Sequence, residues 1–223
     1  MNRRSLLALG LATSAALAAG ALGSRLRGGT PAPLPEPPPM SLEGDPRLAE
    51  RSLGDAAAPL RVQVFFDLTC SHCGSFHREL LPRIEDSFIA TGRLRLVSTL
   101  FPINEPGLQA ATVALSAPAA EFHAVVARLF DQREAWAAAE PSARTALLAA
   151  ASGREPFAVA AMIEDTPLRR AILERRQWAN QALGINVTPS LLYGSRLERG
   201  APDFDGFRRQ VEAAERALSR RAA

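Results

Sequence analysis

The chain's two cysteines are separated by two residues in FFDLTCSHCGSFH, residues 65–77, with two of its three histidines beside them. This stretch constrains the fold more than any other, because the residues on either side of the pair carry opposite periodicities. Upstream, LRVQVFFDL (60–68) alternates and then runs apolar, rich in Val and Phe, as a strand buried on both faces does. The run stops at Thr69. Downstream, Phe76, Leu80, Leu81, Ile84 and Phe88 recur at helical spacing, with Pro82 expected to kink the helix. A strand feeding directly into Cys70 sets that residue at the mouth of the next helix.

That placement predicts the chemistry of the pair. A thiolate, not a thiol, attacks disulfides, and the unpaired N–H groups and positive dipole end of a helix stabilise it. Cys70 is therefore expected to have a lowered pKa and to attack. Cys73, one turn deeper, is expected to resolve. His72, between them, is placed to donate a hydrogen bond or add positive charge, which favours the thiolate and makes the disulfide a stronger oxidant. A structural disulfide is the weaker reading, since a two-residue spacing closes almost no loop. A c-type haem site needs histidine after the second cysteine, and Gly74 stands there. Zinc or copper held by Cys70, Cys73 and a histidine stays open, although no second cysteine pair completes a structural zinc site.

Asp67, three residues before Cys70, is a second candidate. A buried carboxylate there would have a raised pKa and could pass a proton to or from Cys73; a solvated strand-end acid or a hydrogen-bond acceptor for the loop is the alternative. His77 reads first as a packing or surface residue and only second as functional. His123 reads as structural, and Trp136, Trp178 and Tyr193 as core or rim aromatics.

The rest of the chain supplies the frame. RLRLVSTLFPI (93–103) is a second strand, and an alanine-rich block over 107–183 reads as several helices broken at Pro118, Pro141, Gly153, Pro156 and Pro167. PSLLYG and SRLERG (189–200) read as two short strands around a turn at Gly194. Asp203 then caps a last amphipathic helix with Phe207, Val211, Ala214 and Leu218 on one face. At the other end, Arg3 and Arg4 precede an uncharged run from Leu6 to Leu22, an export segment that is either cleaved or kept as an anchor. NRRSLL loosely resembles the twin-arginine export motif. GGTPAPLPEPPPM (28–40) follows, too rich in proline for helix or central strand and read as an extended spacer.

The formal charge of +3 raises the question of an anionic partner. Four of the 26 basic residues and one of the 23 acids precede residue 41, which leaves 22 of each on the remainder. A nucleic-acid footprint would need a basic excess on the folded body, so no nucleic-acid partner is expected.

FFDLTCSHC, the GSFHRELLP helix behind it, the helical block and GINVTPSLLYG together resemble the DsbA-like branch of the thioredoxin superfamily, a family of exported thiol:disulfide oxidoreductases. The resemblance spans roughly residues 45–220. It implies an α/β chain: a thioredoxin fold with a helical insertion between the second strand and the cis-Pro strand. The corresponding division is a signal peptide or membrane anchor at 1–27, a Pro-rich linker at 28–44, a first thioredoxin part at 45–106, the insertion at 107–183 and a second part at 184–223. The resemblance also implies that Pro189 is cis and lies against Cys70, with the Thr188 backbone pairing to a substrate chain. Taken without the family, Pro189 would be read as trans. Ser71 stands where many relatives carry proline, which would retune the potential, and Val187 where many carry glycine.

The implied activity is donation of disulfides to unfolded or folding exported proteins, in the periplasm or another extracytoplasmic space, with a membrane or soluble redox partner recycling the pair. Neither cofactor nor metal is called for. The alternatives are a reductase or isomerase, a thiolate and histidine metal-binding module, and an interaction domain whose cysteines are incidental. Related isomerases carry a separate dimerisation domain, and about twenty residues between spacer and first strand are too few for one.

Overall fold

The computed structural model describes residues 44–222, and side chains as far as residue 220. The leader expected at 1–27 and almost all of the linker expected at 28–44 lie outside the described residues.

Five strands form one mixed sheet in the order β1-β3-β2-β4-β5: β1 (Arg51–Leu53), β2 (Leu60–Phe66), β3 (Leu94–Leu100), β4 (Ser190–Tyr193) and β5 (Arg196–Arg199). β2 runs parallel to β3, and the other pairings are antiparallel. The alternating then apolar sequence of β2 follows from this central position. Val62, Val64 and Phe66 point into the main core, whereas Phe65 joins Phe101, Ala179, Ile185 and Leu192 in a smaller cluster on the opposite face. β1 is a strand the sequence does not announce, because its three residues include a buried arginine. Arg51 is 5% exposed and hands its guanidinium protons to the carbonyls of Pro46, Arg47 and Ala49. β2 ends at Phe66, two residues earlier than its apolar run suggests, so Asp67 and Leu68 belong to the following loop.

From Ser71 the chain is helical as far as Ile89: α1 (Ser71–Ser75), a π turn (Phe76–Leu80), α2 (Leu81–Ile84) and a second π turn (Glu85–Ile89). Pro82 lacks the N–H that would continue an α ladder. The turn before it is widened, with the Leu81 N–H bonded to the Phe76 carbonyl.

Six helices separate β3 from β4: α3 (Glu105–Leu115), α4 (Phe122–Asp131), α5 (Arg133–Ala137), α6 (Pro141–Ser152), α7 (Pro156–Ile163) and α8 (Thr166–Leu183). The block breaks at the expected prolines, and three of them open the helix that follows. Pro141, Pro156 and Pro167 lie in the first two positions of α6, α7 and α8, where no N–H partner is required. Gly153 and Gly184 end α6 and α8 in the left-handed conformation, at φ +70° and +69°. The last helix, α9 (Phe204–Ala222), starts after Asp203, whose carboxylate accepts from the Gly206 N–H at 2.6 Å. Phe207 and Val211 are fully buried against the sheet, and Phe207 packs on both Phe88 and Tyr193.

Candidate active site

The turn between β2 and α1 assembles the site. The Cys70 N–H donates to the Asp67 carbonyl at 3.3 Å, and the Gly74 N–H donates to the Cys70 carbonyl at 3.1 Å. Cys70 is the N-cap of α1 with extended backbone at φ −74° and ψ 120°, one turn before Cys73 within the helix. The first sulfur is half-buried and the second 1% exposed, and both are free thiols.

The strand register supplies the facing element. Antiparallel pairing sets Phe65 opposite Ser190, so the residues just before β4 run alongside the loop that follows β2. The Thr188–Pro189 peptide there is cis, and the Cys70 thiol donates to the Thr188 carbonyl at 3.4 Å. Pro189 is buried, Thr188 is half-buried, and Val187 is exposed beside them.

The two sulfurs have opposite acidities. A hydrogen bond from the Cys73 thiol, together with the Thr188 side chain and the backbone N–H groups of Cys73 and His72, holds the Cys70 thiol at about 5 against the opposing effect of burial. Cys73 is pushed strongly upward, first by burial and then by the neighbouring Cys70. The side chains of Ser71 and His72 are exposed, and it is the His72 backbone that reaches the sulfur.

Asp67 is 1% exposed, and burial raises its carboxyl pKa. The carboxylate accepts from the Thr69 N–H at 2.8 Å, the Thr69 hydroxyl, and the Ile103 N–H at 3.3 Å. It thus faces the loop leading to α3, while the Asp67 backbone interacts with Cys73.

Several residues that carry no sequence motif complete the site. A Cβ at Gly107 would collide with the Asp67 carboxylate. Asn104 caps α3 by accepting from the Gly107 N–H at 2.8 Å, and its amide donates to the Thr69 hydroxyl at 2.9 Å. Arg133 at the start of α5 donates to the Thr69 carbonyl at 3.1 Å. The insertion therefore grips the loop that carries Cys70 from two helices. Of these, only the Asn-x-Pro-Gly entry into α3 leaves a readable trace in the sequence.

Trp136 and Tyr193 are buried and Trp178 is half-buried. The Trp136 indole donates to the Leu129 carbonyl at 2.8 Å, a structural role within the insertion. Among the described residues, no group of three or more His, Cys, Asp or Glu side chains is arranged to hold a metal ion.

Against known proteins, no curated protein matches the chain. Solved structures match it along most of its length. α-DsbA1 from Wolbachia pipientis superposes with a TM-score of 0.68 at 23% identity, covering 82% of this chain and 99% of that one. DsbA from Chlamydia trachomatis gives 0.64 at 18% identity, covering 82% and 98%. Oxidised BdbD from Bacillus subtilis gives 0.62 at 20%, covering 76% and 93%. The family model described as thioredoxin matches residues 47–213. The sheet order, the cysteine pair at a helix mouth and this match agree: the chain belongs to the thioredoxin family and has the fold of its DsbA-like members.

Proposed function

We propose that this chain is a thiol:disulfide oxidoreductase that donates disulfides to unfolded or folding exported proteins. One observation carries the reading: two sulfurs three residues apart, one half-exposed and held as a thiolate at neutral pH, the other buried and held as a thiol.

In the oxidised enzyme a substrate thiolate attacks Cys70. The Cys70–Cys73 bond breaks, and Cys73 leaves with the electron pair and takes up a proton. A second substrate thiolate then attacks the substrate sulfur of the mixed disulfide and releases Cys70 as a thiolate. The substrate has lost two electrons and two protons, and the enzyme has gained both electrons. A leaving group with a pKa near 5 departs readily, and its stability as a thiolate makes the reduced enzyme the favoured form. This supports donation over reduction or isomerisation. A membrane or soluble redox partner restores the disulfide.

The Thr188 backbone and Ser71 line the rim where a substrate chain would lie, and the exposed side chains of Ile103 and Val187 offer it apolar contact. Function in the periplasm or another extracytoplasmic space, with the N-terminal run as signal or tether, fits this chemistry because disulfides persist there.

The test is the equilibrium potential of the Cys70 and Cys73 pair against glutathione, followed by thiol alkylation on metal-free protein. A value toward −120 mV, the oxidising end, supports donation. A value near −270 mV indicates a reductase, and failure to form the internal disulfide turns the reading toward metal binding.

A further inference from the structure

Cys73 must lose and regain a proton during exchange, yet it is 1% exposed and lies behind Cys70. Behind it is a cavity of about 20 Å³, room for a single water molecule. Its walls include Cys73, Phe66, Phe130, Ser98 and two imidazoles, His77 and His123. Both histidines are partly buried, and the exchange chemistry leaves both unused.

They are not equivalent. His123, on α4, is tied to the Ser98 hydroxyl at 3.2 Å and packs edge-on to Phe122. His77, four residues after Cys73 in the π turn, stacks on Phe130 with ring centres 5.2 Å apart. No hydrogen bond among the described residues engages its ring nitrogens, and part of the residue, which lines the cavity, is also exposed to solvent. Asp67, the acid nearest Cys70 in sequence, does not line this cavity, and its carboxylate is engaged by Thr69 and Ile103.

We infer that His77 carries the proton of Cys73, accepting it through the cavity when Cys73 attacks a mixed disulfide on Cys70 and returning it when Cys73 is the leaving group. In the first direction the Cys73 S–H proton passes to the imidazole. The thiolate forms its bond to the Cys70 sulfur, the bond from Cys70 to the partner sulfur breaks, and the partner leaves as a thiolate. The imidazolium then releases its proton at its exposed edge.

The surroundings suit a neutral acceptor at rest. Burial holds His77 below the ordinary imidazole range. Asp131 on α4 favours its charged form and Arg78 on its own turn opposes it; His123 faces it across the cavity, with Arg51 acting in turn on His123. No charged group from β3 lines the cavity, where that strand contributes Leu96 and Ser98.

This inference rests on the disulfide-exchange reading, and the test separates the two. Reduced enzyme is mixed with oxidised glutathione between pH 5 and 9, quenched with acid, and the species carrying glutathione on Cys70 is followed by mass. In His77→Gln and in His77→Phe, which preserves the ring stack on Phe130, the mixed disulfide is expected to persist at least about tenfold longer than in the unaltered enzyme. Its rate of formation and the pH midpoint of Cys70 alkylation, near 5, should stay unchanged.

An unchanged lifetime in both variants overturns the inference, as does slowing of both steps or a moved Cys70 midpoint, which would mark a structural role. A longer lifetime in Asp67→Asn with none in the His77 variants would route the proton through Asp67 instead. If the unaltered enzyme never forms its internal disulfide, the exchange reading itself fails.

Discussion

The rim around Cys70 and the pocket around Cys73 are separated by one helical turn and differ in nearly every physical respect. The rim is built from polar or backbone groups: the Thr188 carbonyl and the N–H groups at the start of α1, with the Ser71 and His72 side chains in solvent. The pocket is built from Phe66, Phe76, Phe130 and Val126, with two imidazoles set among them. Hydrogen bonds lower one thiol and desolvation raises the other. The asymmetry of a Cys-x-x-Cys pair is thus a property of the strand and helix that place it, since the same four residues on an exposed helix would have two similar sulfurs.

The largest effects should come from erasing one side of this difference. Cys70→Ser removes the attacking sulfur and should abolish exchange. Cys73→Ser should leave attack intact and trap the mixed disulfide, which mass analysis of acid-quenched mixtures would detect; turnover by Cys70→Ser would refute the assignment of roles.

The next effect is on stability. Gly107→Ala forces a methyl group onto the Asp67 carboxylate and should cost about 1–3 kcal/mol in urea denaturation. Asp67→Ala in the same chain should relieve part of that cost, and additivity of the two changes would show that they do not touch.

A third prediction concerns pH. The folded Cys70 thiol lies near 5 against 9.0 for an ordinary thiol, so its thiolate contributes stability that is fully present above pH 9 and is lost as pH falls through 5. The raised Cys73 has the opposite sign and weakens the fold only above pH 9. Reduced enzyme should therefore gain stability over Cys70→Ser between pH 5 and 9, and parallel denaturation curves across that window would contradict the thiolate assignment.

The smallest effect is expected at His72. Its backbone N–H, which alanine retains, is what reaches Cys70, and its ring is exposed. His72→Ala should move the alkylation midpoint by less than about one pH unit. A larger shift would mean that the imidazole, not the backbone, sustains the rim.

Much of this frame is legible in the residues themselves. β2, β3, the hairpin at Gly194 and the last helix follow from periodicity and turn chemistry, because each buries one face or stripe and ends at a recognisable stop. β1 escapes because a three-residue edge strand has no period to read and includes a buried arginine, whose two terminal nitrogens are held by carbonyls folded back from nearby turns. The prolines of the insertion mark its helix boundaries, and three open the next helix because their missing N–H is not needed there. Asp67 is visible as an acid at a strand end, but the direction in which its carboxylate points is not.

By itself the sequence determined where the sulfurs lie, between a buried strand and a helix, because hydrophobic period and proline or glycine punctuation are local properties. Tertiary structure alone decided what faces them. Thr188 and the cis Thr188–Pro189 bond reach Cys70 from 118 residues away through the β2–β4 register. Gly107 and Asn104 meet the Asp67 loop through α3, and His123 meets His77 across a cavity closed by α4. A pKa depends on solvent and charge within a few ångströms in space, and those neighbours are brought together by packing between elements far apart in the chain.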